Sequence, residues 1–130
     1  MLWDVYEATL YAPEGIWRKD RPFALSLHYL RDISGREIAD RSVQGMRKQG
    51  YIDEITLAAW YSQMRSIFPD VQNGTVLSGI FIPGRDTFFY EGDRLIGIIK
   101  GDLFAQWFFG IWLSENTSEP QLRKKLLGLP

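Results

Sequence analysis

The amino-acid sequence predicts an α+β fold, in which an antiparallel β-sheet carries a layer of helices packed on one face. The first observation is the order of the patterns. Two strand-like segments are followed by two helical ones, and three more strand-like segments precede two further helices. The second observation is that a Pro-Gly turn and a Glu-Gly-Asp loop join the last three strands, which is typical of a meander. The 130 residues contain no linker or repeat, so we expect a single domain over residues 1–130.

Residues 102–112 predict the helix around which this fold is arranged. Its apolar side chains recur at i, i+3, i+4, i+7 and i+8, which places them in a stripe on one helix face. The stripe consists of Phe104, Trp107, Phe108, Ile111 and Trp112. Because the helix is too short to span a bilayer, we expect it to be buried in protein, with Trp107 among the residues least tolerant of truncation. Asp102 falls at its start, where a carboxylate suits the open N–H groups and the helix dipole.

The strands are predicted from alternating apolar residues and from the turn residues that bound them. They are expected at residues 2–12, 23–31, 75–82, 86–90 and 95–99. In the first two strands, the inward side chains are expected to be Tyr6, Ala8 and Leu10, followed by Phe23, Leu25, Leu27 and Tyr29. Gly79 and Gly97 lie inside strands, where a glycine usually marks a bulge or the close approach of another element.

Two of the helices have clear start signals. Ser34, with Glu37 three residues later, predicts a capped helix that runs to about Lys48. Its inward residues are expected to be Ile38, Ser42 or Val43, and Met46. Asp53 predicts the cap of the next helix, and Pro69 its end. A final helix is expected at about 119–127.

Composition excludes several classes of function. A net charge of −1 provides no basic surface for nucleic acid, and the absence of cysteine excludes disulfides and thiolate chemistry. No metal-binding motif and no apolar run long enough for a membrane span are present. We therefore expect no metal, no cofactor and no nucleic-acid partner. As written, the chain has no signal peptide, which indicates the cytoplasm, while a periplasmic location stays open if an upstream signal segment was removed.

Three polar side chains could carry chemistry, and each has a simpler explanation. His28, the one histidine, is expected at the surface or at a sheet edge. Tyr6 is expected in the core with a hydrogen-bonded hydroxyl. Arg41 lies at the edge of the inner face of its helix, where most arginines extend to solvent. If Arg41 instead points inward, it needs an anion, and the carboxylate of a ligand is one candidate.

Four segments resemble the chalcone isomerase-like family, particularly its short bacterial members. They are WDVYEATLYAPEG, RPFALSLHYLRDISGREIADRSVQGM, LSGIFIPGRDTFFYEGDRLIGII and FAQWFFGIWLSENTSEPQLRKKLLG, and together they cover nearly the whole chain. The resemblance implies an open-faced sandwich with a ligand cleft between the sheet and the helices. The family includes plant enzymes that close chalcones to flavanones, fatty-acid-binding relatives, and members without isomerase activity.

The resemblance also implies that the catalytic groups are lost. The positions of the family's catalytic tyrosine, asparagine and threonine fall at 38–39, 45–46 and 107–108, where this chain has apolar residues or glycine. The catalytic arginine would lie on a strand upstream of Met1, so the domain is expected to lack an N-terminal strand. Tyr6 matches a position that is threonine in the enzymes and tyrosine in the fatty-acid-binding relatives.

These observations predict a non-catalytic protein that binds a small apolar or amphipathic ligand, such as a fatty acid, between sheet and helices. The predicted ligand-binding residues are Tyr6, Ile38, Arg41, Ser42, Met46, Trp107 and Phe108. One alternative is an isomerase acting on a chalcone-like enone, in which Tyr6 and Arg41 would supply the catalytic groups alone. Another is a collapsed cleft in a protein that acts through its surface. The oligomeric state stays open.

Overall fold

The structure, a computed structural model, describes residues 5–130. These residues form five strands and four α-helices, with a short 3-10 turn at Pro13–Gly15. The strands are β1 (Tyr6–Tyr11), β2 (Phe23–Tyr29), β3 (Val76–Phe81), β4 (Asp86–Glu91) and β5 (Arg94–Lys100). The helices are α1 (Gly35–Lys48), α2 (Glu54–Ile67), α3 (Asp102–Leu113) and α4 (Pro120–Leu127). The predicted α+β fold is confirmed. The prediction that the first strand begins at residue 2 falls partly outside the described residues.

The strands form one antiparallel sheet in chain order, and their register arranges the inner side chains in rows. One row begins with Tyr6 beside Tyr29. Two rows further along the strands, Leu25, Gly79 and Phe89 lie side by side. The predicted inward faces of the first two strands are confirmed, because their side chains are buried or partly buried at Tyr6, Ala8, Leu10, Phe23, Leu25, Leu27 and Tyr29.

Side chains cap α1 and α2 as predicted. The Ser34 hydroxyl accepts a hydrogen bond from the backbone N–H of Glu37 at 3.1 Å. The Asp53 carboxylate accepts hydrogen bonds from the N–H groups of Ile55 and Thr56 and from the Thr56 hydroxyl. The hydrogen bond from the Thr56 hydroxyl lowers the pKa of Asp53 most, and the two backbone N–H groups lower it further. Each cap satisfies backbone donors that a helix N-terminus would otherwise leave open.

Helix α3 is buried around most of its circumference, as its apolar composition predicts. Phe104 is fully buried, and Phe108, Ile111 and Trp112 are each no more than 6% exposed. The prediction for Trp107 is corrected, because its side chain is only partly buried and packs at the edge of the helix against the ring of Tyr51. The centre of the buried face therefore lies on the side of Phe104 and Phe108.

Asp102 does not cap α3, although it lies in the first turn. The residue at the cap position is Gly101, with a φ of 95°. The Asp102 carboxylate instead accepts hydrogen bonds from the backbone N–H of Gly84 at 3.0 and 3.3 Å. The predicted position of Asp102 at the start of α3 is confirmed, but its carboxylate binds the β3–β4 turn instead of the open N–H groups of the helix.

The two strand glycines lie where another element approaches the sheet, as predicted. A Cβ atom on Gly97 would collide with the side chain of Ile67 from α2, and the β4–β5 pairing has a bulge between Phe89 and Tyr90 beside it. A Cβ on Gly79 would lie 3.1 Å from the ring of Phe109 in α3. Glycine at these positions lets the helices pack closely against the sheet.

Candidate functional site

A small apolar cavity lies between the inner face of the sheet and helices α1 and α3. Its volume is about 60 Å³. The sheet side of its wall includes Leu25, Leu27, Leu77 and Phe89. The helix side includes Ile38 from α1 and Phe108, Ile111 and Trp112 from α3. Such a wall offers an apolar molecule contacts and no hydrogen bonds, so the polar groups of the cavity decide its chemistry.

Two buried tyrosines form the first part of a polar end to this cavity. Tyr6 and Tyr29 are cross-strand neighbours whose rings meet edge to face at 5.6 Å. The Tyr6 hydroxyl accepts a hydrogen bond from the indole N–H of Trp112 at 2.8 Å, which leaves its own O–H free to donate. The Tyr29 hydroxyl makes no hydrogen bond to another residue within 5–130.

Burial keeps both tyrosines neutral. It raises the pKa of Tyr6 to about 12, although the hydrogen bond from Trp112 acts in the opposite direction. It also raises the pKa of Tyr29, and the neighbouring Tyr6 adds to that effect. Since a neutral phenol carries a proton to donate, both hydroxyls are hydrogen-bond donors at physiological pH.

Arg41 completes the polar end from α1. It lines the cavity, its side chain is 34% exposed, and its charge lowers the pKa of both tyrosines against the larger effect of burial. Its ion pair with Glu37 is long, at 3.7 Å, and half open to solvent. Such a pair contributes little, so the guanidinium can bind an anion at the cavity without a large loss.

The structure brings five of the seven predicted residues together around the cavity, namely Tyr6, Ile38, Arg41, Ser42 and Phe108. The Ser42 hydroxyl donates to the Ile38 carbonyl at 2.8 Å, so its proton is already engaged. Met46 and Trp107 do not line the cavity, and their placement is corrected. Met46 is fully buried one turn past Ser42, beyond the part of α1 that faces the cavity, and Trp107 faces the opposite side of α3.

Sequence reasoning missed Tyr29 and Trp112 as parts of the site. The sequence predicts that both are buried, but it assigns neither to the pocket. The strand alternation that places Tyr29 on the inner face does not reveal that it pairs with Tyr6 across the sheet. The hydrogen bond from Trp112 to Tyr6 joins residues 106 positions apart, which no local pattern can indicate.

A second, open groove of about 530 Å³ lies on the other side of α3. Trp17, Phe23, Trp107 and Leu113 supply apolar parts of its wall. Phe109 is the one residue within 5–130 that lines both the groove and the cavity. The two spaces are therefore neighbours separated at this ring.

The described residues provide neither a metal site nor a membrane-spanning helix. No group of three or more His, Asp or Glu side chains within 5–130 could hold a metal ion. No helix in the same range combines the length and apolarity that a membrane crossing needs. His28 is exposed, as predicted.

Comparison with known proteins agrees with this architecture. The profile of a family described as chalcone isomerase-like matches residues 1–128, so the chain belongs to the chalcone isomerase-like family. An uncharacterised protein of Haemophilus influenzae is 30% identical over 125 residues, which are 95% of this chain and 61% of that protein. The chain thus spans about three fifths of the length of this relative.

A solved structure shares the fold. The crystal structure of a fatty-acid binding protein from Arabidopsis thaliana matches with a TM-score of 0.64. The match covers 82% of this chain and 55% of the plant protein, at 12% sequence identity. At that identity the likeness supports the fold, and the ligand of this chain has to be argued from its own residues.

Proposed function

We propose that this protein is a non-catalytic binder of a small amphipathic monocarboxylate, with the acid group at Arg41 and the apolar tail inside the cavity. The observation that carries the proposal is the arrangement of the polar groups. One guanidinium and two neutral hydroxyls, from Tyr6 and Tyr29, line a cavity whose remaining wall is almost entirely apolar. That the structural neighbour is a fatty-acid binding protein supports the same class of ligand.

The polar end matches the hydrogen-bonding needs of a carboxylate. An ionised carboxylate only accepts hydrogen bonds, and Arg41, Tyr6 and Tyr29 are all donors there. A hydrogen bond between a guanidinium and a carboxylate is stronger than one between neutral groups, because both partners are charged. A carboxylate held at Arg41 would also replace the weak partner Glu37, so the arginine keeps an anion beside it.

The same groups are poorly suited to isomerase chemistry. Because the pKa of Tyr6 is raised to about 12, the phenol keeps its proton at neutral pH and hardly any phenolate is present to act as a base, so Tyr6 acts as a hydrogen-bond donor. The cavity also provides far less volume than a chalcone with its two rings and several hydroxyls would need. Binding is therefore the function that the residues around the cavity favour.

The test is calorimetric titration of delipidated protein with hexanoate and with hexanol, which has a tail of equal length but no charge. We expect hexanoate to bind more tightly, and Arg41→Gln to weaken it by at least about tenfold, since hydrogen bonds to charged groups contribute roughly 1.5–3 kcal/mol. Arg36→Gln is the matched control, because Arg36 is an exposed arginine on the same helix that does not line the cavity.

Two results would count against the proposal. Hexanoate and hexanol binding equally would show that the polar end does not select a carboxylate. No binding of any acid would favour the alternative of a collapsed cleft in a protein that acts through its surface.

A further inference from the structure

The length of the ligand's tail is the next property that the structure constrains, through the residues at the far end of the cavity. The polar end lies at the row of Tyr6 and Tyr29. Gly79 lies two rows further along the strands, roughly 13 Å away at about 3.4 Å per residue. The cavity therefore runs along the strands from Arg41 and the tyrosines towards Gly79 and the ring of Phe109 that packs over it.

Phe109 closes that end by its packing. Its ring meets Phe23 at 4.9 Å, Phe108 at 5.2 Å and Phe81 at 6.4 Å between ring centres. It is only 3% exposed, and it borders the groove of about 530 Å³ on its other side. The ring is thus a partition between a small cavity with a polar end and a larger groove that is partly apolar.

The volume of the cavity limits what fits in front of this partition. A cavity of about 150 Å³ accommodates the ring of benzene, with its roughly six carbons. The cavity here measures about 60 Å³, so it suits an acid whose apolar tail is smaller than a benzene ring. A longer acyl chain needs the space behind Phe109.

We propose that Phe109 and Gly79 set the ligand's chain length, so that the protein selects short-chain monocarboxylates and excludes long-chain fatty acids. This inference rests on the proposed function, because it takes the acid group to be bound at Arg41. Glycine at position 79 leaves the space beside the Phe109 ring, where a Cβ would lie 3.1 Å from it and 3.4 Å from the Phe89 ring. The glycine gives the cavity its depth and the phenylalanine gives it its end.

The experiment measures affinity for straight-chain saturated acids from acetate to palmitate, by calorimetry on the delipidated protein. Each buried methylene raises affinity by roughly fourfold. We expect that increase in the wild-type protein up to a break at about six carbons or fewer, and no gain beyond it. Phe109→Ala should join the cavity to the groove, move the break to longer acids and raise the affinity for decanoate at least about tenfold.

Two further variants test the same inference in case Phe109→Ala does not fold. Phe109→Leu, a milder truncation, should move the break in the same direction, and Gly79→Ala should move it to shorter acids by filling the end of the cavity. Phe104→Leu is the matched control, because Phe104 is a fully buried phenylalanine of the same helix that lines neither space. It should leave the break where the wild-type protein has it.

The possible failures can be told apart. If the wild-type protein binds acids with no break up to palmitate, or if the break stays in place in folded Phe109 and Gly79 variants, the chain-length inference is overturned while the proposed function stands. If the wild-type protein binds no acid of any length, the proposed function fails and this inference fails with it.

Discussion

Truncation of Phe104 to alanine should be among the most destabilising single changes in this protein. The side chain is fully buried, and its ring stacks on Phe108 at 5.2 Å and meets the edges of Trp60 at 5.5 Å and Phe89 at 6.3 Å. Removing a buried phenylalanine costs about 3–5 kcal/mol, and aromatic pairs of this kind are worth about 0.5–1.5 kcal/mol each. We therefore expect a loss near the upper end, about 4–5 kcal/mol.

The loss of stability in Phe104→Ala is best compared with the loss in Trp107→Ala. Trp107 is larger, and a stripe read from the sequence gives it equal weight, but it is only partly buried at the helix edge. Its truncation should cost about half as much, roughly 2 kcal/mol. Urea denaturation of both variants, followed by far-ultraviolet circular dichroism, measures the two free energies of unfolding. His28→Ala, at an exposed position, should stay within about 0.5 kcal/mol of wild type. Equal losses for Phe104→Ala and Trp107→Ala would refute the assignment of the core centre.

Three other outcomes can be measured. Burial raises the pKa of Tyr6 and of Tyr29, so their neutral hydroxyls stabilise the fold fully below the ordinary tyrosine pKa near 10, and this stability is lost as the pH rises towards about 12. In an ultraviolet titration, we expect two of the six tyrosines to ionise only when the protein unfolds at alkaline pH. Ionisation of all six tyrosines together would contradict this expectation. Gly97→Ala should lower the free energy of unfolding by about 1–3 kcal/mol, because the new Cβ clashes with Ile67. In a double-mutant cycle, Ile67→Ala should recover part of that loss, and additive losses would exclude the clash. Purified protein should not speed the absorbance decay of a hydroxychalcone above the rate in buffer, and an acceleration that disappears in Tyr6→Phe would establish the isomerase alternative instead.

Local patterns predict the parts of this structure that local physics decides. The caps at Ser34 and Asp53 and the inward face of β2 depend on neighbours a few residues away, so the sequence reveals them. The orientation of Trp107 depends on Tyr51, which reaches it from the turn between α1 and α2. Asp102 likewise finds its partner at the β3–β4 turn. Helical periodicity carries no information about either contact.

In the candidate site too, local patterns predict some residues, and long-range contacts determine the others. Ile38, Ser42 and Phe108 follow from the inner faces of their helices, and all three line the cavity. Tyr29 enters the site through strand register, and Trp112 through a hydrogen bond to a strand near the other end of the chain. Strand register and long-range pairing depend on how the whole chain packs, so local patterns in the sequence do not assign Tyr29 to the site.

The hydrogen bond from Trp112 to Tyr6 also makes the polar end of the cavity depend on local unfolding. Within residues 5–130, β1 lies at the edge of the sheet, so it can open without disrupting the other strands, and opening removes Tyr6 from the cavity. A ligand that binds only the closed form stabilises it by an amount that grows with ligand concentration. Under the proposed function, the amide protons of Glu7 and Thr9, which face β2 in the register set by the hydrogen bond from Leu30 to Val5, therefore exchange with solvent more slowly when the acid is bound. The exchange rate of this edge strand would then report whether the cavity is occupied.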